Sequence, residues 1–118
     1  MKAEDDFEAA TLLRAAEARL HDQVCFHCQQ CVEKYLKALL EENHLPIPKT
    51  HNLVKLMELL VSLFPKLKSH RRGLDFLTRF AVETRYPNDF ASKRQAIASL
   101  RWSIKLRLEI RTILKLKP

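Results

Sequence analysis

Glycine is nearly absent from this chain: among 118 residues there is one, Gly73. Hairpin turns, phosphate-cradling loops and dinucleotide fingerprints need φ > 0 or a backbone that a ligand can approach closely, so none is expected. Long apolar runs are missing as well. No stretch of about 18 apolar residues occurs, which argues against a membrane-spanning helix. The amino-terminal MKAEDDFEAA is acidic and lacks an apolar core, so no secretory leader is read. A cytoplasmic setting follows as the expectation, with Cys25, Cys28 and Cys31 reduced. Acids are scarce over residues 93–118, where eight Lys or Arg face a single acid, Glu109. The net charge of +7 is therefore all carried by the last segment. Such a segment suits nucleic acid, an acidic partner or a membrane surface, or it is a solvated outer face.

What the chain does contain is helical periodicity. Hydrophobic residues make up 47%, enough for a core, and no alternating stretch is long enough for a strand. The spacing predicts a first helix over Asp5–Leu20, a short break at His21-Asp22, and a second helix ending near Asn43. Pro46 and Pro48 then impose an extended linker. Thr50 or Asn52 caps a third helix over Leu53–Phe64, which stops before Pro65. A fourth spans Ser69–Thr84, and Tyr86-Pro87-Asn88-Asp89 forms a loop. Ser92 caps a last helix that runs to about Leu116. The fold class is all-α: an antiparallel four- to five-helix up-and-down bundle, with residues 1–118 read as one domain.

The last helix carries two apolar rows. Leu100, Ile104 and Leu108 form one; Trp102, Leu106, Ile110 and Ile113 or Leu114 form the other. One row can face the bundle and the other a second subunit, giving a homodimer, or both can be covered within one chain.

Residues 25–40, CFHCQQCVEKYLKALL, form the most structured stretch. On a helical wheel Cys25, Cys28, Val32, Tyr35, Leu36, Leu39 and Leu40 share one arc, with Cys31 at its edge. Cys25-x-x-Cys28 has the redox spacing, and His27 and Cys31 would complete four ligands on paper. All four lie on one helical segment, however, and His27 points about 100° away from Cys25 and Cys28. Small core residues are the better reading, with no metal site and no cofactor. Gln29 sits inside the apolar arc, where an unsatisfied amide costs roughly 1–3 kcal/mol. Glu33 and Lys37 continue along one border as an i, i+4 pair, which spacing alone reads as an exposed surface pair, while His27, Gln30 and Lys34 lie on the far side.

These residues carry a resemblance. His27-x-Gln29-Gln30-x-x-Glu33-Lys34-x-x-Lys37-Ala38, then Pro48-x-Thr50-His51-x-Leu53, then Arg85-Tyr86-Pro87, together resemble the HEPN (higher eukaryotes and prokaryotes nucleotide-binding) domain family. The likeness covers nearly the whole chain. It implies a helical bundle that is usually a dimer. It also implies nucleotide binding or RNA cleavage, and often a minimal nucleotidyltransferase as partner in a toxin–antitoxin-like pair. Glu33, Lys34, Lys37, His51, Arg85 and Tyr86 become candidate ligand contacts. Gln29 and Thr50 become structural polar groups. Members of the family that cleave RNA carry Arg-x(4–6)-His near the end of a late helix. Here Arg79 and Arg85 occupy that region, but no histidine follows them; Arg14-x6-His21 is the one match and lies elsewhere. Binding of a nucleotide or partner is therefore the preferred reading. The alternatives are an endoribonuclease using Arg79 or Arg85, and a structural dimer whose basic helix docks an acidic partner.

Overall fold

The three cysteines lie on the most buried helix of the chain. The computed structural model describes residues 1–15, 20–81 and 90–118, with the side chains of residues 14 and 15 left aside. Five α-helices follow in order: α1 (Lys2–Ala15), α2 (His21–Glu42), α3 (Leu53–Leu60), α4 (Arg71–Thr78) and α5 (Lys93–Ile113). A 3₁₀ turn over Pro65–His70 joins α3 to α4. No strand occurs among the described residues. None of the described helices is long and apolar enough to cross a membrane.

The all-helical bundle expected from the periodicity is the observed one. α2 is its axis, with α1 and α5 as its principal neighbours. Cys25, Cys28, Val32, Tyr35, Leu36, Leu39 and Leu40 are all buried, as the wheel requires, and Cys31 is buried with them. From α5, Leu106 and Ile110 enter the same core; from α3, Leu53, Leu56, Met57 and Leu60 do so. Side-chain pairings give the helix directions. Asp6 meets both His27 and Lys34. Cys28 meets Ser103, and Tyr35 meets Arg111, so α2 and α5 run parallel. His70 meets Glu109 while Gly73 meets Trp102, so α4 runs antiparallel to α5.

Local chemistry sets the helix ends. Asn52 is the cap of α3: its Oδ1 accepts from the backbone N–H groups of Val54 and Lys55 at 3.0 and 3.2 Å. Ser92 and Gln95 form a reciprocal capping box at the start of α5. Two helix ends use left-handed residues that are not glycine. His44 (φ 56°) follows α2 and Lys115 (φ 60°) follows α5. In each case the next residue reaches back to a helix carbonyl, Leu45 N–H to Leu40 and Leu116 N–H to Arg111.

Several boundaries differ from expectation. α1 begins at Lys2 rather than Asp5, residues 16–19 of its expected end lie outside the described residues, and α2 already begins at His21, in place of the expected break. α3 ends at Leu60, not Phe64. Pro65 disfavours a helical residue before it, so the chain unwinds through a turn to an extended Phe64 (φ −131°, ψ 75°). The 3₁₀ turn then occupies residues 65–70, which delays α4 from Ser69 to Arg71. α4 closes at Thr78 with Arg79 and Phe80 in a turn; the expected extension over 82–84 lies outside the described residues. The left-handed Lys115 ends α5 at Ile113 rather than Leu116.

Gly73 is buried where α4 crosses α5. A Cβ built there would lie 2.2 Å from Cε3 of Trp102. The one glycine of the chain thus makes room for the Trp102 indole at a helix crossing rather than forming a turn.

Candidate functional site

The border of α2 forms a site because the linker after α2 comes back along that helix. His51 lies beside Glu33, well before the helix end at Glu42. Thr50 prepares this path: its Oγ1 accepts from the Asn52 backbone N–H at 3.1 Å, which places Asn52 to cap α3. Thr50 and Asn52, alternatives in the sequence, therefore divide the work.

Five polar side chains meet there. Gln29, fully buried, donates through Nε2 to Glu33 Oε1 (3.1 Å) and to the His51 carbonyl (3.2 Å). Its own Oε1 accepts from Gln30 Nε2 at 2.7 Å. Glu33 Oε1 also bonds His51 Nδ1 at 2.8 Å, and Lys37 Nζ donates to Glu33 Oε2 at 3.2 Å. Glu33 is 8% exposed and His51 is 64% exposed. The Glu33–Lys37 pair is thus not the exposed surface pair that the spacing suggested. Burial pushes the Glu33 carboxyl up, but hydrogen bonds from Gln29, His51 and Lys37 outweigh it and leave it below the usual range. A buried carboxylate on Nδ1 holds the imidazole by one nitrogen and leaves Nε2 on the exposed side.

The far side of α2 is not bare either. α1 covers it: Asp6 bonds His27 Nδ1 at 2.8 Å through one oxygen and Lys34 Nζ through the other. Lys34, expected beside Lys37 as a ligand contact, is tethered to α1. Both lysines nevertheless line one open cleft of about 320 Å³. Lys2 and Glu41 share its rim, and Ala3, Ala38 and Ile47 supply an apolar floor.

The remaining candidates divide. Arg79 follows α4, with its guanidinium 5.6 Å from the Phe76 ring centroid. The preceding Thr78 accepts through Oγ1 from the Leu53 backbone N–H at 3.1 Å, so α4 ends where α3 begins. Arg85 and Tyr86 lie outside the described residues.

The cysteines belong to the core. All three are fully buried and none forms a disulfide. Burial raises the Cys28 thiol to about 12 and pushes Cys31 up as well. Ser103 Oγ donates to Cys28 Sγ at 3.5 Å, a contact that two small residues allow between α2 and α5.

A second polar cluster was not singled out in the sequence. Glu4 of α1 takes two bonds from Arg107 of α5, at 2.8 and 2.5 Å, and one from the Tyr35 hydroxyl at 2.6 Å. Tyr35 accepts in turn from Arg111 at 2.8 Å. The signal available beforehand was two facts, the acidic start and the basic end of the chain; their pairing was not visible.

No curated protein and no solved structure matches the chain. Residues 1–111, however, match the HEPN domain model, and they contain every described element of the bundle up to the last turn of α5. The chain belongs to the HEPN domain family.

Proposed function

We propose that this HEPN chain is a binding module for a nucleotide and for a protein partner. The partner we assign is a small nucleotidyltransferase, as one half of a toxin–antitoxin-like pair. One observation carries the nucleotide half: Lys2, Lys34 and Lys37 rim a cleft with an apolar floor. Ammonium groups meet phosphates, and Ala3, Ala38 and Ile47 offer a surface to a base or ribose. The test is calorimetry with ATP on the wild type and on Lys37→Gln. The expected result is binding that weakens about tenfold or more in the variant, equal to about 1.4 kcal/mol. Absence of heat with every nucleoside triphosphate would reject the nucleotide half. Co-expression with the nucleotidyltransferase tests the partner half, and failure to copurify would reject it.

A second reading, RNA cleavage, is favoured by one feature. His51 is exposed and held through Nδ1 by the buried Glu33 carboxylate, the arrangement of an oriented general base. Arg79 would be its electrophilic companion. Incubation of structured RNA with wild type, His51→Ala and Arg79→Ala decides this reading. Cleavage that both variants lose would establish it; no cleavage by the wild type would remove it.

A further inference from the structure

Among the described residues, α5 meets its neighbours on two faces and leaves a third exposed. Leu106 and Ile110 are buried against α2, and Arg107 and Arg111 are met by Glu4 of α1. On the outer face Ile104 and Leu108 stand 43% and 42% exposed, one turn apart. They belong to one of the two apolar rows, either of which the sequence could offer to a second subunit. Arg101 and Lys105, both exposed and one turn apart, run along one side of Ile104 and Leu108. Lys105 rests 5.1 Å from the Trp102 ring centroid. Beside Leu108 opens a shallow cleft of about 350 Å³, bounded by Lys105, Glu109, Thr112 and His70. The 3₁₀ turn ending at His70 adds Lys66 and Lys68, again exposed.

Charge selects the occupant. A second copy of the same face would set Arg101 and Lys105 against their own counterparts. Glu109, the one acid of α5, cannot relieve this, because it is already paired with His70 at 3.4 Å. Structured RNA would match the cations but would leave Ile104 and Leu108 against a polar backbone. A helix with an apolar ridge beside an acidic row satisfies both. The chain already shows this chemistry on the neighbouring face, where the acidic α1 binds Arg107 and Arg111 through Glu4.

We infer that the outer face of α5, centred on Ile104 and Leu108 and bordered on one side by Arg101 and Lys105, docks an acidic amphipathic helix of a partner protein. The inference rests on the partner half of the proposed function and supplies its surface. The nucleotide half is independent of it.

The test uses the full chain and a synthetic helical peptide with leucines at i, i+4 and i+7 flanked by glutamates. Trp102, the one tryptophan of the chain, reports binding by its fluorescence under Lys105. The expected result is binding that weakens as salt rises and drops about tenfold or more in the double variant Ile104→Gln, Leu108→Gln. Both residues are surface positions, and circular dichroism checks that the variant stays helical. No binding at about 1 mM peptide would overturn the inference. So would equal binding of a scrambled glutamate peptide, or release of the peptide by hairpin RNA or anionic vesicles. A dimer that dissociates in the double variant would make a second copy the occupant and overturn it too. A nucleotidyltransferase that still copurifies with the double variant would reject this surface and leave the partner reading standing.

Discussion

Arg107 clasps Glu4 with two hydrogen bonds, Nε to Oε2 at 2.8 Å and Nη2 to Oε1 at 2.5 Å, across 103 residues of chain. The first turn of α1 is thereby pinned to the last turns of α5. The Arg107 bonds dominate the Glu4 environment; burial opposes them, Tyr35 and Arg111 add to them, and the carboxyl falls to about 2. A carboxyl lowered on folding stabilises the fold above its unfolded value of 4.5, and that contribution disappears as pH falls through about 2. Glu4 is 26% exposed, so solvent screening reduces the effect. Glu4→Gln should cost about 1–2 kcal/mol at pH 7. Urea melts at falling pH should show wild type and variant converging between 4.5 and about 2. A difference that does not change with pH would rule out the clasp as its source.

Gln29 tests whether the polar ladder on α2 is structural. Gln29→Leu fits the apolar arc but removes a donor from the buried Glu33 carboxylate and from the His51 carbonyl. The stability loss should be about 1–3 kcal/mol, because a buried acceptor loses its partner. ATP affinity should stay within about twofold, since Gln29 is fully buried and does not line the lysine cleft. A variant as stable as wild type would show that the ladder contributes nothing to the fold.

At Gly73, helix propensity and packing predict opposite signs. Alanine gains about 1 kcal/mol in helix propensity. Against that, a Cβ 2.2 Å from Trp102 Cε3 forces the indole or α4 to move. Overpacking of this kind costs about 1–3 kcal/mol, so Gly73→Ala should lower Tm. The Trp102 emission should shift with it. A raised Tm would mean that the indole relaxes freely.

His44 and Lys115 hold left-handed conformations that cost an L-residue about 1 kcal/mol or more. His44→Gly should therefore raise stability, by about 0.5–1 kcal/mol after the extra entropy of the unfolded glycine is subtracted. Chemical denaturation measures this directly. A destabilised variant would indicate that the His44 side chain makes a contribution of its own.

The three thiols should be silent toward iodoacetamide at pH 8 in the native protein. Each is fully buried, and burial lifts Cys28 to about 12. All three should label together on unfolding. Rapid labelling of one thiol in the folded state would return the Cys25-x-x-Cys28 spacing to consideration as a reactive pair.

Much of the bundle was legible because its signals are local. The arc from Cys25 to Leu40 contains the residues that are buried, and Asn52 and Ser92 cap the helices they precede. What failed was local structure that depends on a neighbour. Glu33 and Lys37 look like a surface pair by spacing, yet the returning linker buries Glu33 under His51. Lys34 looks solvated on a wheel, yet α1 supplies Asp6 to it. The shortened α3 reflects Pro65 opening a 3₁₀ turn that a helix-only reading absorbs into its flanks.

By itself, then, the sequence determined the helical class, the capped starts of α3 and α5 and the likeness to HEPN domains. Those properties follow from periodicity, capping residues and short-range motifs, which act over a few turns. Tertiary structure alone decided which polar groups meet: Glu4 with Arg107, Asp6 with Lys34, and Glu33 with His51. It also decided that the one glycine serves a helix crossing. Such contacts join residues far apart in the chain. Their formation depends on how far each helix slides and turns against the next, and packing of the whole core sets that.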